Sequence, residues 1–128
     1  MNLLLDTCTF LWVLNGASEL SPRAATLIRA PENDVFFSSA SAWEIAIKYS
    51  RGQLVLPERP ERYVPDAREA RGFSPLSIDE ESALHVSRLP SLHRDPFDRI
   101  LVAQAIVHGL AILTPDPLIT QYPIRAIW

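Results

Sequence analysis

Leu3-Leu4-Leu5, Val35-Phe36-Phe37 and Leu110-Ala111-Ile112-Leu113 are short apolar runs with no polar residue between their members. A strand with one wet face alternates in polarity, so uninterrupted runs predict strands covered on both faces, the situation of a parallel sheet. Two weaker strands are expected around 73–78 and 124–127. Between them lie segments with helical character: 9–14, 22–30, 41–51, 61–71, 79–88 and 96–108. Strands alternating with helices predict βαβ units and an α/β layered fold around a parallel sheet of four to five strands. The length of 128 residues, 48% of them hydrophobic, predicts a single domain over 1–128 with a real core.

Composition narrows the chemistry. A net charge of −3 supplies no overall positive field, although twelve Lys and Arg leave room for local basic patches. Cys8 is the only cysteine, which removes an intrachain disulfide, a Cys-rich zinc site and a CxxC pair, and fits a reducing cytoplasm. The start does not read as a secretory signal, because no Lys or Arg precedes Arg23 and Asp6 interrupts the apolar stretch. No membrane span is expected, since the apolar stretch 100–107 carries Gln104 and falls short of the roughly 18 residues a span requires. Four glycines, with no GxGxxG or GxxxxGK[ST], argue against dinucleotide-binding and P-loop folds.

In an open α/β sheet, ligands bind beyond the carboxyl ends of the strands. Asp6 directly follows the first apolar run, and Asp116 follows the last one after Thr114-Pro115. Asp95 and Asp98 open the 96–108 helix, and Glu44 is placed in the first turn of the 41–51 helix, after a Ser38-Ser39-Ala40-Ser41 turn. Each has an ordinary structural reading. Asp95-Pro96 and Asp116-Pro117 put Asp at N-cap and Pro at N1, Asp98 suits the helix dipole, and Glu44 with Lys48 is an i,i+4 pair. Gathered at one mouth, however, like charges repel unless a cation or proton offsets them. Mg²⁺ or Mn²⁺ suits an all-oxygen set, and a carboxylate-held metal can activate water and stabilise a phosphorane without a side-chain nucleophile. A phosphotransferase of the haloacid dehalogenase kind needs Asp-x-Asp after its first strand, and Asp6-Thr7-Cys8 lacks the second acid. A response-regulator receiver needs paired early acids and an acceptor Asp after the third strand, which are also missing.

Leu4-Leu5-Asp6-Thr7, Ser41-Ala42-Trp43-Glu44-Ile45-Ala46-Ile47-Lys48, the stretch from Asp95-Pro96-Phe97-Asp98-Arg99 to Ala105, and Leu113-Thr114-Pro115-Asp116 together resemble a PIN domain. More narrowly, the chain is similar to the VapC toxins of bacterial type II toxin–antitoxin modules, from residue 2 to the C-terminus. The resemblance implies a PIN-like three-layer α/β/α fold and a Mg²⁺- or Mn²⁺-dependent endoribonuclease. Its carboxylates map onto Asp6, Glu44, Asp98 and Asp116, with Asp6 and Asp98 the principal metal ligands, Glu44 holding the metal or its water, and Asp116 acting through water. Asp95 then keeps the capping role. Thr114 matches the family's hydroxyl residue before the fourth acid, and Pro115 stands where alanine is common. Cleavage would leave 5′-phosphate and 3′-hydroxyl ends. A VapB-like antitoxin, a homodimer and a toxin–antitoxin hetero-oligomer are implied partners. A catalytically silent PIN-fold module for RNA or protein binding is the alternative, which loss of the acids would mark; all four are present.

Lys48 and Arg51 beyond Glu44, with Arg94 and Arg99 beside Asp98, read equally as cations along an RNA groove or as a solvated salt-bridge face. His93, His108 and His85 read as structural or surface residues. Cys8 reads as a small buried thiol, and Trp12, Trp43 and Trp128 as core or interface. Leu11, Trp12, Leu14, Leu27 and Ile28, with Trp43 or Tyr49, form either core packing or an antitoxin groove or dimer face.

Overall fold

The computed structural model describes residues 1–128. The elements run β1 (Asn2–Leu5), α1 (Thr7–Asn15), α2 (Pro22–Arg29), β2 (Asp34–Ser38), α3 (Ser39–Ser50), α4 (Pro60–Ala70), β3 (Ser74–Leu76), α5 (Glu80–His85), α6 (Pro96–His108), β4 (Ala111–Leu113), α7 (Pro117–Thr120) and β5 (Ala126–Ile127). Helix starts follow capping chemistry. Asp6, Ser21, Ser38, Asp95 and Asp116 each accept a hydrogen bond from an amide of the helix that follows, satisfying donors that the helix cannot. Gly16 and Gly109 end α1 and α6 at φ 58° and 68°, a conformation that glycine adopts without a Cβ penalty.

The five strands form one parallel sheet in the order β3-β2-β1-β4-β5. Side chains alternate across it, and both sides are buried. Leu3, Leu5, Val35, Phe37, Ala111 and Leu113 face one way, against Phe10 of α1, Ile45 of α3 and Val64 of α4. Leu4 and Ile112 face the other way, against Leu101, Val102 and Ala105 of α6 and Ile119 of α7. This is the expected three-layer α/β/α arrangement, and it explains why the strands carry no polar alternation. Burying one such leucine contributes about 1.5–3 kcal/mol relative to leaving it exposed. No helix is long and apolar enough to cross a membrane.

Three local expectations change. The 79–88 segment divides into α5 and a 3₁₀ turn, Val86–Arg88. Asp116 and Pro117 start a helix as N-cap and N1, as that pair predicts, but this α7 has only four residues, too short to show a period. The Ser38–Ser41 segment is not a turn: Ser38 caps α3 through the amide of Ala40 at 3.0 Å, so the helix begins at Ser39 and Glu44 stands in its second turn. Ala40 packs on the α6 side of the sheet and Ile45 on the other, so α3 passes across the carboxyl edge and carries Glu44 there.

Candidate active site

The strand order changes direction at β1, whose neighbours are β2 on one side and β4 on the other. The crevice at such a switch point is where an open α/β sheet binds ligands. Asp6 lies there because it ends β1 and caps α1. It is buried, its Oδ1 accepts from the Thr9 amide at 2.8 Å, and its Oδ2 accepts from the Thr114 hydroxyl at 2.6 Å. That hydroxyl also accepts from the Asp116 amide at 3.1 Å, and the Asp116 carboxylate caps α7 through Leu118 at 2.9 Å. One threonine therefore couples two acids. Pro115 leaves the link intact, because the amide used is that of Asp116.

Glu44 is also buried, with Oε1 2.7 Å from Thr7 Oγ1 and Oε2 2.7 Å from Lys48 Nζ. Thr7 Oγ1 stands 2.9 Å from Ser41 Oγ. A hydroxyl has one proton, so Thr7 donates to the carboxylate and accepts from Ser41. The bond to Glu44 pushes the Lys48 ammonium upward. Thr7 and Ser41 stand inside the stretches that carry the family resemblance, but the sequence assigns neither a role; Thr7 adjoins Asp6 and Ser41 lies one helical turn before Glu44.

Asp98 opens α6, where Asp95 accepts from the amides of Phe97 and Asp98 at 2.9 and 3.2 Å and so performs the expected capping. Asp98 Oδ2 lies 3.1 Å from His93 Nε2, whose Nδ1 lies 2.7 Å from the Tyr122 hydroxyl. His93 is thus a site neighbour rather than a bystander. Arg99 is not turned to open solvent as an unpaired cation: it donates to the Tyr122 oxygen at 2.8 Å and to the carbonyls of Pro90 and Val86 at 2.9 and 3.3 Å. Arg51 and Arg94 are exposed, and Lys48 is held on Glu44.

Burial pushes the Asp6 carboxyl up against its bonds to Thr114 and Thr9, and the charge of Asp116 adds to the rise. Asp98 is pushed up to about 6, chiefly by burial, with Asp95 and Asp116 adding and His93 opposing. Asp116 acts on both carboxyls, so the three share one field. Such raised carboxyls are what a nearby hard cation would relieve. No three His, Cys, Asp or Glu side chains form a ready metal cage. Mg²⁺ ordinarily uses one or two carboxylates and completes its shell with water and substrate phosphate, so this open all-oxygen set fits that ion.

Other expectations are corrected here. Cys8 is exposed, not buried, and its thiol is pushed up to about 11 by partial desolvation and by the charges of Asp6 and Glu44, which suppresses the nucleophilic thiolate. Trp43 is 61% exposed and meets Phe97 edge-on at 5.1 Å. Leu11, Leu14, Leu27 and Ile28 pack against the core, whereas Tyr49 lines a cavity of about 440 Å³ with Ala46, Arg59 and Val64.

The model of the PIN domain family matches residues 3–124. Ribonuclease VapC16 of Mycobacterium tuberculosis (strain ATCC 25618 / H37Rv) is 39% identical over 69 residues, 54% of this chain and 49% of that protein. The chain thus spans about half the length of the curated relative it matches. Among solved structures, VapBC2 from Rickettsia felis bound to a promoter DNA fragment aligns at TM-score 0.74 and 13% identity, covering 100% of this chain and 99% of that one. DNA-bound VapBC from Salmonella typhimurium aligns at TM-score 0.67 and 20% identity, covering 99% and 97%. The likeness to these structures is one of fold, and the family match extends along nearly the whole chain. The chain belongs to the PIN domain family.

Proposed function

We propose that the chain is a Mg²⁺- or Mn²⁺-dependent endoribonuclease toxin of the VapC kind, restrained by a VapB-like antitoxin. The observation that carries this reading is the meeting of Asp6 and Asp116 through Thr114 at the β1–β4 crevice, with Asp98 in the same field. Asp6 and Asp98 would hold the ion, with Glu44 and Asp116 beside them. When bound, the ion supplies Lewis-acid stabilisation at phosphorus and activation of the attacking water. Thr114 fixes one oxygen of Asp6, and Thr7 fixes one of Glu44, so the carboxylates need little reorganisation when substrate arrives. Water attack at phosphorus forms a P–O bond as the bond to the 3′ oxygen breaks, leaving 5′-phosphate and 3′-hydroxyl ends. Exposed Arg94 and Arg51 would contact phosphates, giving affinity without sequence choice. The names of the VapC and VapBC relatives support an RNA substrate, a VapB-like antitoxin and a hetero-oligomer, and a toxin homodimer belongs to the same reading.

The test is cleavage of a mixed RNA pool by the purified chain with Mn²⁺, with EDTA and as Asp98→Asn. Metal-dependent cuts bearing 5′-phosphates and absent from the variant are expected. Equal cleavage by the variant would remove the site assignment, and no cleavage by a folded chain that still binds RNA would favour the silent module.

A further inference from the structure

Four side chains, three from the 93–99 stretch and Tyr122 from beyond α7, form a chain of hydrogen bonds ending on the Asp98 carboxylate. Arg99 Nη1 donates to the Tyr122 oxygen at 2.8 Å, Tyr122 and His93 Nδ1 are 2.7 Å apart, and His93 Nε2 is 3.1 Å from Asp98 Oδ2. Its direction follows from donor inventory. A guanidinium only donates, so the Tyr122 oxygen is already an acceptor, and the phenol proton needs an acceptor of its own. Tyr122 is 3% exposed, and its single remaining neighbour in hydrogen-bonding range is His93 Nδ1. An unpartnered buried hydroxyl is costly. Tyr122 therefore donates to Nδ1, leaving the ring proton on Nε2, where it points at Asp98. Arg99 is itself anchored on the Pro90 and Val86 carbonyls, so the chain starts from fixed backbone.

From this geometry we infer that His93 is a positioning residue, set by Tyr122 and Arg99 as an Nε2–H donor that fixes one oxygen of Asp98 and orients the carboxylate toward its ion. The role rests on the reading of Asp98 as a metal ligand. It uses no proton transfer. Groups that orient a ligand in this way commonly contribute about 10–100-fold to metal affinity.

The tautomer is tested without any substitution, by nitrogen-15 NMR of the His93 ring in the metal-free chain. A protonated Nε2 and a bare Nδ1 are expected, with that preference lost in Tyr122→Phe; a protonated Nδ1 would overturn the inference. Mn²⁺ titration by calorimetry then compares wild type, His93→Ala, His93→Gln and Asp98→Asn. Affinity should fall about 10–100-fold in His93→Ala and partly return in His93→Gln, whose amide reaches the Nε2 position. Unchanged affinity in His93→Ala, with binding lost in Asp98→Asn, would sink the positioning role while leaving the metal reading intact. Wild-type affinity in Asp98→Asn would remove the metal reading, and the positioning role with it.

Discussion

The molecule contains two Asp–His pairs of nearly equal length and opposite character. His93 and Asp98 are 3.1 Å apart with side chains 10% and 17% exposed; His108 and Asp79 are 3.0 Å apart at 36% and 37%. Asp98 is pushed up to about 6 and Asp79 pulled down to about 2. A histidine partner favours the carboxylate in both, so the sign is decided elsewhere. Around Asp98, desolvation and the charges of Asp95 and Asp116 outweigh the imidazole. At Asp79, the adjacent Ser82 and His108 act on a carboxylate that water still reaches, although the Ser82 hydroxyl has no partner within hydrogen-bonding geometry. The same bond stabilises a surface joint between α5 and α6 in one place and only moderates an unfavourable charge in the other. Contact distance alone therefore does not separate a surface pair from a pair at the candidate site. Burial and the neighbouring acids do.

The sharpest way to break this comparison is to neutralise each aspartate and measure RNA cleavage. Asp98→Asn should lower the rate by more than the roughly 100-fold that loss of an outer-shell partner costs a metal site. Asp79→Asn should leave it unchanged, and equal losses would place both pairs in one role. Next in size is Thr114→Val, which leaves an oxygen of buried Asp6 and the Asp116 amide without their partner. Denaturant unfolding should show a loss of about 1–3 kcal/mol, with a lowered cleavage rate. A variant as stable as wild type would mean that this coupling is not structural.

The third effect has the reverse sign. A folded-state carboxyl raised above its unfolded value makes ionisation costly to the fold, so ionised Asp98 destabilises the metal-free chain at neutral pH. Asp98→Asn in EDTA should gain on the order of 1 kcal/mol, a figure reduced for the solvent screening of a half-buried group. Thermal unfolding of the two proteins side by side measures it. Loss of stability in the variant would show that His93 outweighs burial after all.

The two pairs also show what was legible in the sequence. The sheet could be read because Leu3-Leu4-Leu5 lacks alternation, and α6 because Asp95-Pro96 starts it and Gly109 stops it. Asp6, Asp98 and Asp116 were readable for the same local reason: each stands where a strand ends or a helix begins. Glu44 is placed beyond the second strand by its sequence position, but its helix begins two residues before the 41–51 segment, since serines favour turns as readily as caps. The His93–Tyr122 contact was not readable, because it spans 29 residues and joins a loop to the second residue beyond α7 with no periodic signal. Cys8 misled for a related reason. Its neighbours in sequence are core residues, yet Thr7, Thr9 and Phe10 take the inward positions of α1 and turn the thiol outward.

The smallest effect belongs to the surface pair and fixes its sign. The Asp79 carboxyl falls from the ordinary 3.8 to about 2 in the folded chain, so its ionised form favours folding. That contribution is present in full above about pH 4, where the unfolded carboxyl is also ionised, and is lost as pH falls through about 2. Thermal unfolding of wild type and Asp79→Asn between pH 7 and pH 2 should therefore show a small, constant advantage for wild type down to about pH 4 that closes near pH 2. The same advantage persisting at pH 2 would mean that Asp79 acts through packing at the start of α5 rather than through its charge. The contrast with Asp98 would then rest on burial alone.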